Sequence, residues 1–164
     1  MLIKKVEEFD LDTITSLAKE IWPIAYNNII CAEQIEYMLH LMYSKHALIQ
    51  QLQKGHQFII ALSDTTPIGF ASFSKKSFNE KKTIRLNKLY VLTNTQQKGV
   101  GSFLLDYVCA ESRKQGATTI ELNVNKHNPA TQFYFKKGFT ILKEEVLQIG
   151  NGFVMDDYVM VKKL

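Results

Sequence analysis

The chain has 164 residues, the length of one ordinary domain, and we predict a single domain over residues 1–164. Hydrophobic residues make up 46% and charged residues 22%, a composition that excludes collagen-like, disordered and coiled-coil proteins. No apolar run approaches the roughly 18 to 20 residues of a membrane helix, and the first residues lack the apolar stretch of a signal peptide. The sequence therefore predicts a cytoplasmic protein that does not interact with a membrane.

The net charge of +4 is unevenly distributed along the chain. Residues 1–74 carry a net charge of −3 and residues 75–164 carry +7. A basic half suits a polyanion such as a phosphorylated cofactor or a nucleic acid, and an acidic half suits a cationic substrate; solvated surface is the alternative for both. Cys31 and Cys109 are far apart and belong to no Cys or Cys/His cluster, so we predict neither a disulfide nor a metal site.

Helical periodicity dominates the first third of the chain. Ile14, Leu17, Ala18 and Ile21 recur at helical spacing, and Pro23 makes continuation of this helix beyond Ile21 doubtful. The helices predicted in this third cover residues 12–21, 35–42 and 46–54.

The rest of the chain is predicted to contain both strands and helices. Turn chemistry at residues 64–67 separates two short apolar runs, which we interpret as a hairpin. A strand that follows the next helix pairs most naturally in parallel with the strand before that helix. The predicted strands cover residues 57–62, 68–73, 84–91, 118–124, 139–147 and 152–161, and the predicted helices begin at residues 99–101 and at residue 130. This order indicates an α/β (α+β) fold, with a mixed sheet and helices on its faces.

The most informative segment joins a strand to a helix at residues 91–102. Gly99 and Gly101 allow the backbone to approach a phosphate group, and the first turn of a helix offers free N–H donors and a partial positive charge. With Lys98 at its rim, this segment predicts a pyrophosphate site that requires no metal. Neither a P-loop nor a Rossmann fingerprint fits, because the lysine and the third glycine that they require are missing. A tight loop without a ligand is the alternative for an isolated Gly-x-Gly.

Two motifs, in the right order, resemble those of the GCN5-related N-acetyltransferase (GNAT) superfamily. Residues 96–101 resemble its Arg/Gln-x-x-Gly-x-Gly/Ala signature, and residues 128–139 resemble its Asn…Ala-x-x-x-Tyr-x-x-x-Gly-Phe segment. The resemblance extends over nearly the whole chain and implies a mostly antiparallel sheet, splayed at a central parallel pair of strands that end at Val91 and near Asn125. Acetyl-CoA is the implied cofactor and would enter this gap.

The resemblance also implies which residues contact the cofactor. Backbone groups of one strand would pair with the pantetheine arm, amides of the helix's first turn would hold the pyrophosphate, and an asparagine would contact the arm. The implied cofactor-binding residues are Leu89, Tyr90, Val91, Gln96, Gln97, Lys98, Gly99, Val100, Gly101, Ser102 and Asn128.

Tyr134 is the catalytic residue that the resemblance implies, standing beside the thioester sulfur. The pKa of tyrosine, near 10, and that of a thiol, near 8.5, allow Tyr134 to donate a proton or a hydrogen bond to the leaving sulfur. A backbone N–H near Val91 would bind the oxyanion. The general base stays open, because residues 84–91 hold no carboxylate where some family members place a glutamate. Ordered water and Glu121 are the alternatives, and Glu121 is equally interpreted as a solvent-facing strand residue.

The N-terminal helices and the last hairpin resemble the bacterial branch that includes spermidine/spermine N-acetyltransferases. Aromatic rings and carboxylates would bind a polyamine through cation–π contacts and charge pairing. The predicted function is acetyl transfer from acetyl-CoA to a primary amine of a small molecule, with a polyamine as one candidate. The predicted substrate-binding residues are Trp22, Tyr26, Glu33, Glu36, Asp156 and Asp157.

Alternatives to this function stay open. The first is an acyl-CoA-binding module without turnover, which is suggested by the missing strand carboxylate. The second is an acetyltransferase whose acceptor is an amine of a protein or peptide. Nucleic-acid binding would use the basic half, but the sequence contains no recognised module for it, and we expect no nucleic-acid partner. The state of assembly stays open between a monomer and a homodimer.

Overall fold

The computed structural model of the protein describes residues 1–76, 82–95 and 99–164. Helices occupy most of the first third, three strands follow, and helices and strands then share the rest of the chain. The strands are β1 (Leu2–Lys5), β2 (Gln57–Ser63), β3 (Thr66–Lys75), β4 (Thr83–Val91), β5 (Thr119–Asn125), β6 (Thr140–Gly150) and β7 (Phe153–Lys163). The helices are α1 (Leu11–Ala25), α2 (Ala32–Tyr43), α3 (Lys45–Gln53), α4 (Val100–Lys114) and α5 (Ala130–Lys136), with 3₁₀ turns at Glu8–Asp10 and Thr93–Thr95.

One seven-stranded sheet, in the order β1-β2-β3-β4-β5-β7-β6, runs through the described residues. Neighbouring strands are antiparallel except β4 and β5, which pair in parallel and are connected through α4. The predicted fold class, with a mostly antiparallel sheet and a central parallel pair, is confirmed. In the described ranges, no helix combines the length and the apolar character that crossing a bilayer requires.

Each face of the sheet has its own apolar layer. Helices α4 and α5 cover one face, and α1, α2 and α3 cover the other, so the predicted helices on both faces are confirmed. The first layer includes Leu104, Leu105, Val108, Ile120, Leu122 and Tyr134. The second includes Leu11, Ile14, Trp22, Tyr26, Met38, Leu48, Phe58 and Phe70. The aromatic residues predicted for the site therefore belong partly to the core.

Helix α1 continues beyond the predicted end at Ile21. Pro23 lies in the last turn, where it removes one N–H donor, and the N–H of Tyr26 still donates to the carbonyl of Trp22 at 3.0 Å. Trp22 is almost fully buried, so packing holds this last turn in helical form. The predicted end at Ile21 is therefore corrected, because the burial of Trp22 outweighs the loss of the Pro23 N–H donor.

The sequence pattern does not predict the first strand, β1. It pairs antiparallel with β2, from Leu2 opposite Leu62 to Lys5 opposite Ile59. Three of its four residues are exposed, because β1 forms an edge of the sheet. A short exposed edge strand has no alternation of apolar and polar residues to reveal it.

Strands β4 and β5 separate halfway along their length. They pair from Thr83 opposite Thr119 to Leu86 opposite Leu122, and β4 then continues to Val91 paired with β3, while β5 continues to Asn125 paired with β7. Two partially paired parallel strands thus open a gap in the middle of the sheet.

A β-bulge lies in β4 where the two strands separate. Phe73 of β3 is opposite Leu86 and Ser72 is opposite Lys88, so Asn87 is the extra residue. Leu86 packs in the α4 layer, whereas Tyr90 packs in the α1 layer, although simple alternation would put both on one face. The bulge therefore turns Lys88 and Tyr90 toward α1, α2 and α3.

Candidate active site

A cavity of about 220 Å³ lies where β4 and β5 separate, with walls from α1, α2 and the β6–β7 hairpin. Two hydrogen bonds fasten α2 to that hairpin: Gln34 Nε2 donates to the carbonyl of Val154 at 2.8 Å, and Tyr37 Oη donates to that of Ile149 at 2.8 Å. The predicted site residues that line the cavity are Trp22, Tyr26, Leu89, Tyr90, Asn128, Tyr134 and Asp157. Lining residues that the sequence did not assign to the site include Met38, Met42, Tyr43, Lys88, Asn123, Leu147, Ile149 and Met155.

Aromatic side chains form the wall beside α1. The rings of Trp22 and Tyr26 have centroids 4.4 Å apart, Trp22 and Tyr90 have centroids 5.6 Å apart, and the hydroxyls of Tyr26 and Tyr90 lie 3.0 Å apart. Burial raises the pKa of both tyrosines, so both hydroxyls are protonated at neutral pH. The wall is therefore uncharged but contains hydroxyl donors.

Tyr134, from α5, lies on the cofactor side of the cavity, the side formed by β4 and by the turn before α5. Its ring contacts Phe133 and Phe139 edge to face, with centroids 5.3 and 5.6 Å away. Burial, and secondarily the neighbouring Tyr26, raise the pKa of Tyr134 well above its ordinary value. The hydroxyl is thus a hydrogen-bond donor at neutral pH, and the packed ring fixes its position.

Asp157, from β7, is a buried carboxylate that lines the cavity and is only 5% exposed. Its Oδ2 accepts a hydrogen bond from Asn123 Nδ2 at 3.4 Å, whereas Oδ1 has no hydrogen-bond partner among the described residues. Burial raises the pKa of Asp157, and Asp156 and Glu145 add to the rise against the opposing effect of the Asn123 hydrogen bond. A buried oxygen without a donor is a natural acceptor for the N–H groups of a ligand.

Lys88, from β4, is a second charged residue on the cavity wall, and it is 8% exposed. Its Nζ donates to Gln51 Oε1 at 2.7 Å and lies 5.2 Å from the centroid of Tyr43 and 5.8 Å from that of Phe58. Burial lowers the pKa of Lys88 to about 8, so most molecules carry the charge at neutral pH.

The cofactor side combines a strand edge with the start of a helix. Gly99 precedes α4 with φ +80, a conformation that glycine adopts without strain, and the carbonyl of Gly99 accepts from the N–H of Phe103 at 2.9 Å. The amides of Val100, Gly101 and Ser102 form the first turn, where a helix leaves its N–H groups without helical partners. These features fit a pyrophosphate next to a pantetheine arm along β4. The predicted contacts of Gln96, Gln97 and Lys98 lie outside the described residues.

Gly101 and Asn128 have structural roles beside the predicted ones. A Cβ at Gly101 would meet the Phe133 ring at 3.5 Å and Val91 Cγ2 at 3.9 Å, so α4 begins directly beside β4 and α5. Asn128 Oδ1 accepts from the N–H of Ala130 at 2.9 Å and caps the start of α5. The side chain of Asn128 also hydrogen-bonds Tyr26 at the cavity wall.

Glu121 forms a buried ion-pair network. Its carboxylate lies 2.9 Å from Lys76 Nζ and 3.3 Å from Arg85 Nη1, and its side chain is almost fully buried. The interpretation of Glu121 as a solvent-facing residue is wrong, because two cations, Arg85 on the neighbouring strand β4 and Lys76 just after β3, hold the side chain on the sheet. Both carboxylate oxygens are paired with these cations, and Glu121 is not among the residues that line the cavity.

Three predicted substrate-binding carboxylates lie outside the cavity lining. Glu33 and Glu36 are exposed on α2, whose buried face contains Ile35 and Met38. Asp156 pairs with Lys126 at 2.7 Å. Of the four predicted carboxylates, the structure brings Asp157 alone into the lining of this cavity among the described residues.

Comparisons with known proteins agree with this architecture. A family profile described as an acetyltransferase (GNAT) domain matches residues 27–162. A spermidine N(1)-acetyltransferase of Thermoplasma acidophilum is 29% identical over 160 residues, which are 94% of each chain. An uncharacterised N-acetyltransferase of Mycobacterium tuberculosis is 27% identical over 157 residues, 94% of this chain and 98% of the relative.

Solved structures show the same fold. The PaiA N-acetyltransferase of Thermoplasma acidophilum, in complex with coenzyme A, superposes with a TM-score of 0.82 at 28% identity, covering 99% of this chain and 98% of the other. YncA of Salmonella typhimurium, with its cofactor acetyl-CoA, superposes with a TM-score of 0.71 at 19% identity, covering 100% and 94%. The first of these structures holds coenzyme A and the second holds acetyl-CoA, the cofactor predicted from the sequence.

Proposed function

The chain belongs to the GNAT acetyltransferase family, and we propose that it transfers an acetyl group from acetyl-CoA to the primary amine of a small molecule by direct attack on the thioester. The main support is one observation: Tyr134 and Asp157, whose Oδ1 lacks a partner in the described part of the chain, line the same cavity between the separated strands. In an acyl transfer to an amine, a hydroxyl can donate a hydrogen bond to the departing sulfur, and a carboxylate can accept the proton of the attacking amine.

On the donor side, acetyl-CoA would supply the activated acyl group. Leu89, Tyr90 and Val91 offer a strand edge to the pantetheine arm, and the first turn of α4 offers N–H groups and the helix dipole to the diphosphate. Asn128, which lines the cavity beside Tyr26, would contact the arm. Support for these roles comes from the strand separation, the left-handed Gly99 and the relative solved with coenzyme A.

On the acceptor side, Asp157 would hold the substrate ammonium and take its proton. An amine attacks only as the neutral base, so the site must accept a proton before the carbon–nitrogen bond forms. The raised pKa of Asp157 brings this carboxyl closer to an ammonium group in proton affinity than an ordinary aspartate. Asp157 is a better candidate for this step than Glu121, which Lys76 and Arg85 already neutralise.

Tyr134 would stabilise the departing sulfur. As the carbon–sulfur bond breaks, negative charge develops on a thiolate whose ordinary pKa is near 8.5. Because burial raises the pKa of Tyr134 well above this value, full proton transfer to the sulfur is unfavourable, and a hydrogen bond from the hydroxyl is the favoured interaction.

A polyamine is one acceptor within this proposal. The spermidine acetyltransferase at 29% identity supports it, as do the aromatic wall and Asp157. Glu33 and Glu36 are exposed outside the cavity lining, so the cavity has less negative charge for a polyamine than the sequence hypothesis required. Spermidine is therefore a first acceptor to test rather than the assigned substrate.

An amine-panel assay tests the proposal. Purified protein is incubated with acetyl-CoA and with n-butylamine, 1,4-diaminobutane, spermidine, an aromatic amine or a lysine peptide, while free CoA and product mass are followed. We expect acetylated product with at least one small amine. Tight CoA binding without product from any acceptor would support a binding module instead, and product from the peptide alone would support a protein acceptor.

A further inference from the structure

Lys88 is a buried cation in the cavity wall that forms no ion pair with the described part of the chain. Among the described residues that line the cavity, Lys88 and Asp157 are the two with charged side chains. Within the described ranges, no carboxylate lies in salt-bridge distance of Lys88 Nζ; its contacts are the neutral Gln51 amide and two aromatic rings. These neutral contacts stabilise the ammonium group but do not neutralise it, so the cavity wall carries its positive charge.

The position of this cation is fixed by the surrounding structure. Gln51 Nε2 donates to the carbonyl of Met42 at 2.8 Å, which directs Oε1 toward Lys88. The bulge at Asn87 turns the Lys88 side chain toward the cavity, and the rings of Tyr43 and Phe58 flank its ammonium group. Lys88 therefore has little freedom to move its charge into solvent.

Besides Lys88 and Asp157, the cavity is lined by uncharged side chains, which are asparagine amides, aromatic rings and aliphatic chains. Met38, Met42, Leu147, Ile149 and Met155 line the cavity together with the aromatic wall. An alkyl or aryl body would bury its apolar surface there, whereas a second ammonium would lose its hydration without gaining a carboxylate.

We propose that Lys88 is a specificity-determining residue, which restricts the acceptor to an amine with a single positive charge and an apolar body. The ammonium binds at Asp157, the body contacts the methionine and leucine side chains, and a second ammonium in the same cavity is repelled by Lys88. This inference rests on the proposed function and narrows its substrate class away from polyamines.

Two acceptors of equal length test the inference. n-Butylamine and 1,4-diaminobutane differ in the second ammonium, and kcat/KM is measured for both. The variants are K88M, which fits an unbranched apolar chain into the same space, K88R, which keeps the charge, and K163M, which removes one lysine from an exposed position as the control. Thermal melting shows that each variant is folded, and K88Q replaces K88M where the latter does not fold.

We expect the wild type and K163M to favour n-butylamine at least tenfold. K88M is expected to raise kcat/KM for the diamine at least fivefold more than for the monoamine, and K88R is expected to keep the wild-type ratio. Preference of the wild type for the diamine, or an equal effect of K88M on both amines, would overturn the inference.

Failure of the proposed function gives a different result. Absence of turnover with every amine would contradict the proposed function, and calorimetric titration of the same two amines into the protein with CoA would then test Lys88 directly. Weaker binding of the diamine, relieved in K88M, supports the inference. Equal or tighter binding of the diamine by the wild type overturns it.

Discussion

Asp156 and Asp157 are neighbours in β7, and their side chains lie on opposite faces of the sheet. Asp157 lines the cavity and accepts a hydrogen bond from Asn123, while Asp156 pairs with Lys126 at 2.7 Å outside the cavity lining. Successive residues of a strand point to opposite faces, and of these two Asp157 is the one that lines the cavity. The pair therefore offers two chemically identical substitutions, of which one should affect the acceptor amine.

Replacing Asp157 by Asn is expected to lower kcat/KM for the amine at least thirtyfold, because the amide holds an ammonium weakly and does not take its proton. Asp156→Asn is the matched control, and we expect a change below threefold. Because the carboxylate form of Asp157 is required, we expect wild-type kcat/KM to decrease as the pH is lowered through the raised pKa of Asp157. This decrease at low pH should be absent from the pH profile of Asp157→Asn. Equal losses in the two variants would remove Asp157 from the acceptor site.

Replacing Tyr134 by Phe is expected to lower kcat tenfold or more with little change in CoA affinity, because the ring packing is kept and one hydrogen bond to the leaving sulfur is lost. Tyr107→Phe, on α4 outside the cavity lining, is the control. Steady-state kinetics and calorimetry with CoA separate the two effects. An unchanged kcat would exclude Tyr134 from the chemical step.

The motifs predicted for the cofactor side are local in the chain, whereas the acceptor side combines residues from α1, α2 and the β6–β7 hairpin. Glycines, a capping asparagine and a helix start are local features, so their spacing in the sequence is nearly their spacing in space. Strand alternation could have shown that Asp156 and Asp157 do not share a face of the sheet. The helical spacing of apolar residues in α2 could have shown that Glu33 and Glu36 lie outside its apolar face. These two rules reduce the four carboxylates to one of the two aspartates, and the structure shows that Asp157 is the one that lines the cavity.

Lys88 could not have been assigned from the pattern. Alternation from Ile84 and Leu86 puts Lys88 on the α4 face, and only the bulge at Asn87, which depends on the pairing of β3 with β4, moves it to the cavity. The same holds for Glu121, whose partners are Arg85 in β4 and Lys76 just after β3. Residues positioned by tertiary pairing leave no periodic signal in the chain.

Replacing Glu121 by Gln tests its assignment as a structural residue. Removing one member of a buried ion pair leaves the cations without a counter-charge, and since Lys76 and Arg85 are partly exposed we expect a loss of about 2 kcal/mol in the free energy of unfolding. The kcat of the folded variant should stay within twofold of wild type. Urea unfolding and steady-state kinetics measure the two quantities, and a collapse of kcat in the folded variant would make Glu121 the base.

Replacing Gly99 by Ala is expected to cost about 1 kcal/mol of stability and to weaken CoA binding, because alanine strains the left-handed φ of +80 before α4. Gly116→Ala, at the other end of the same helix with φ +79, is the matched control. Neither position has an atom within 4 Å of the added Cβ, so the strain is comparable. Similar stability losses with a difference in CoA affinity would support the cofactor site, whereas equal CoA affinities would contradict it.

Lys88 also predicts a pH-dependent stability. Its pKa is about 8 in the folded protein and 10.5 as a free side chain, so the folded state binds fewer protons between these values and wild-type stability rises with pH across that window. Below pH 8 the folded protein bears the whole net cost of keeping the buried lysine charged, about 3 kcal/mol from the difference between these two pKa values. K88M should therefore be more stable than wild type at pH 7, and its advantage should shrink as the pH approaches 10.5. Chemical unfolding of both proteins at pH 7 and pH 10 measures this difference, and an advantage that does not change with pH would show that Lys88 titrates as an ordinary lysine.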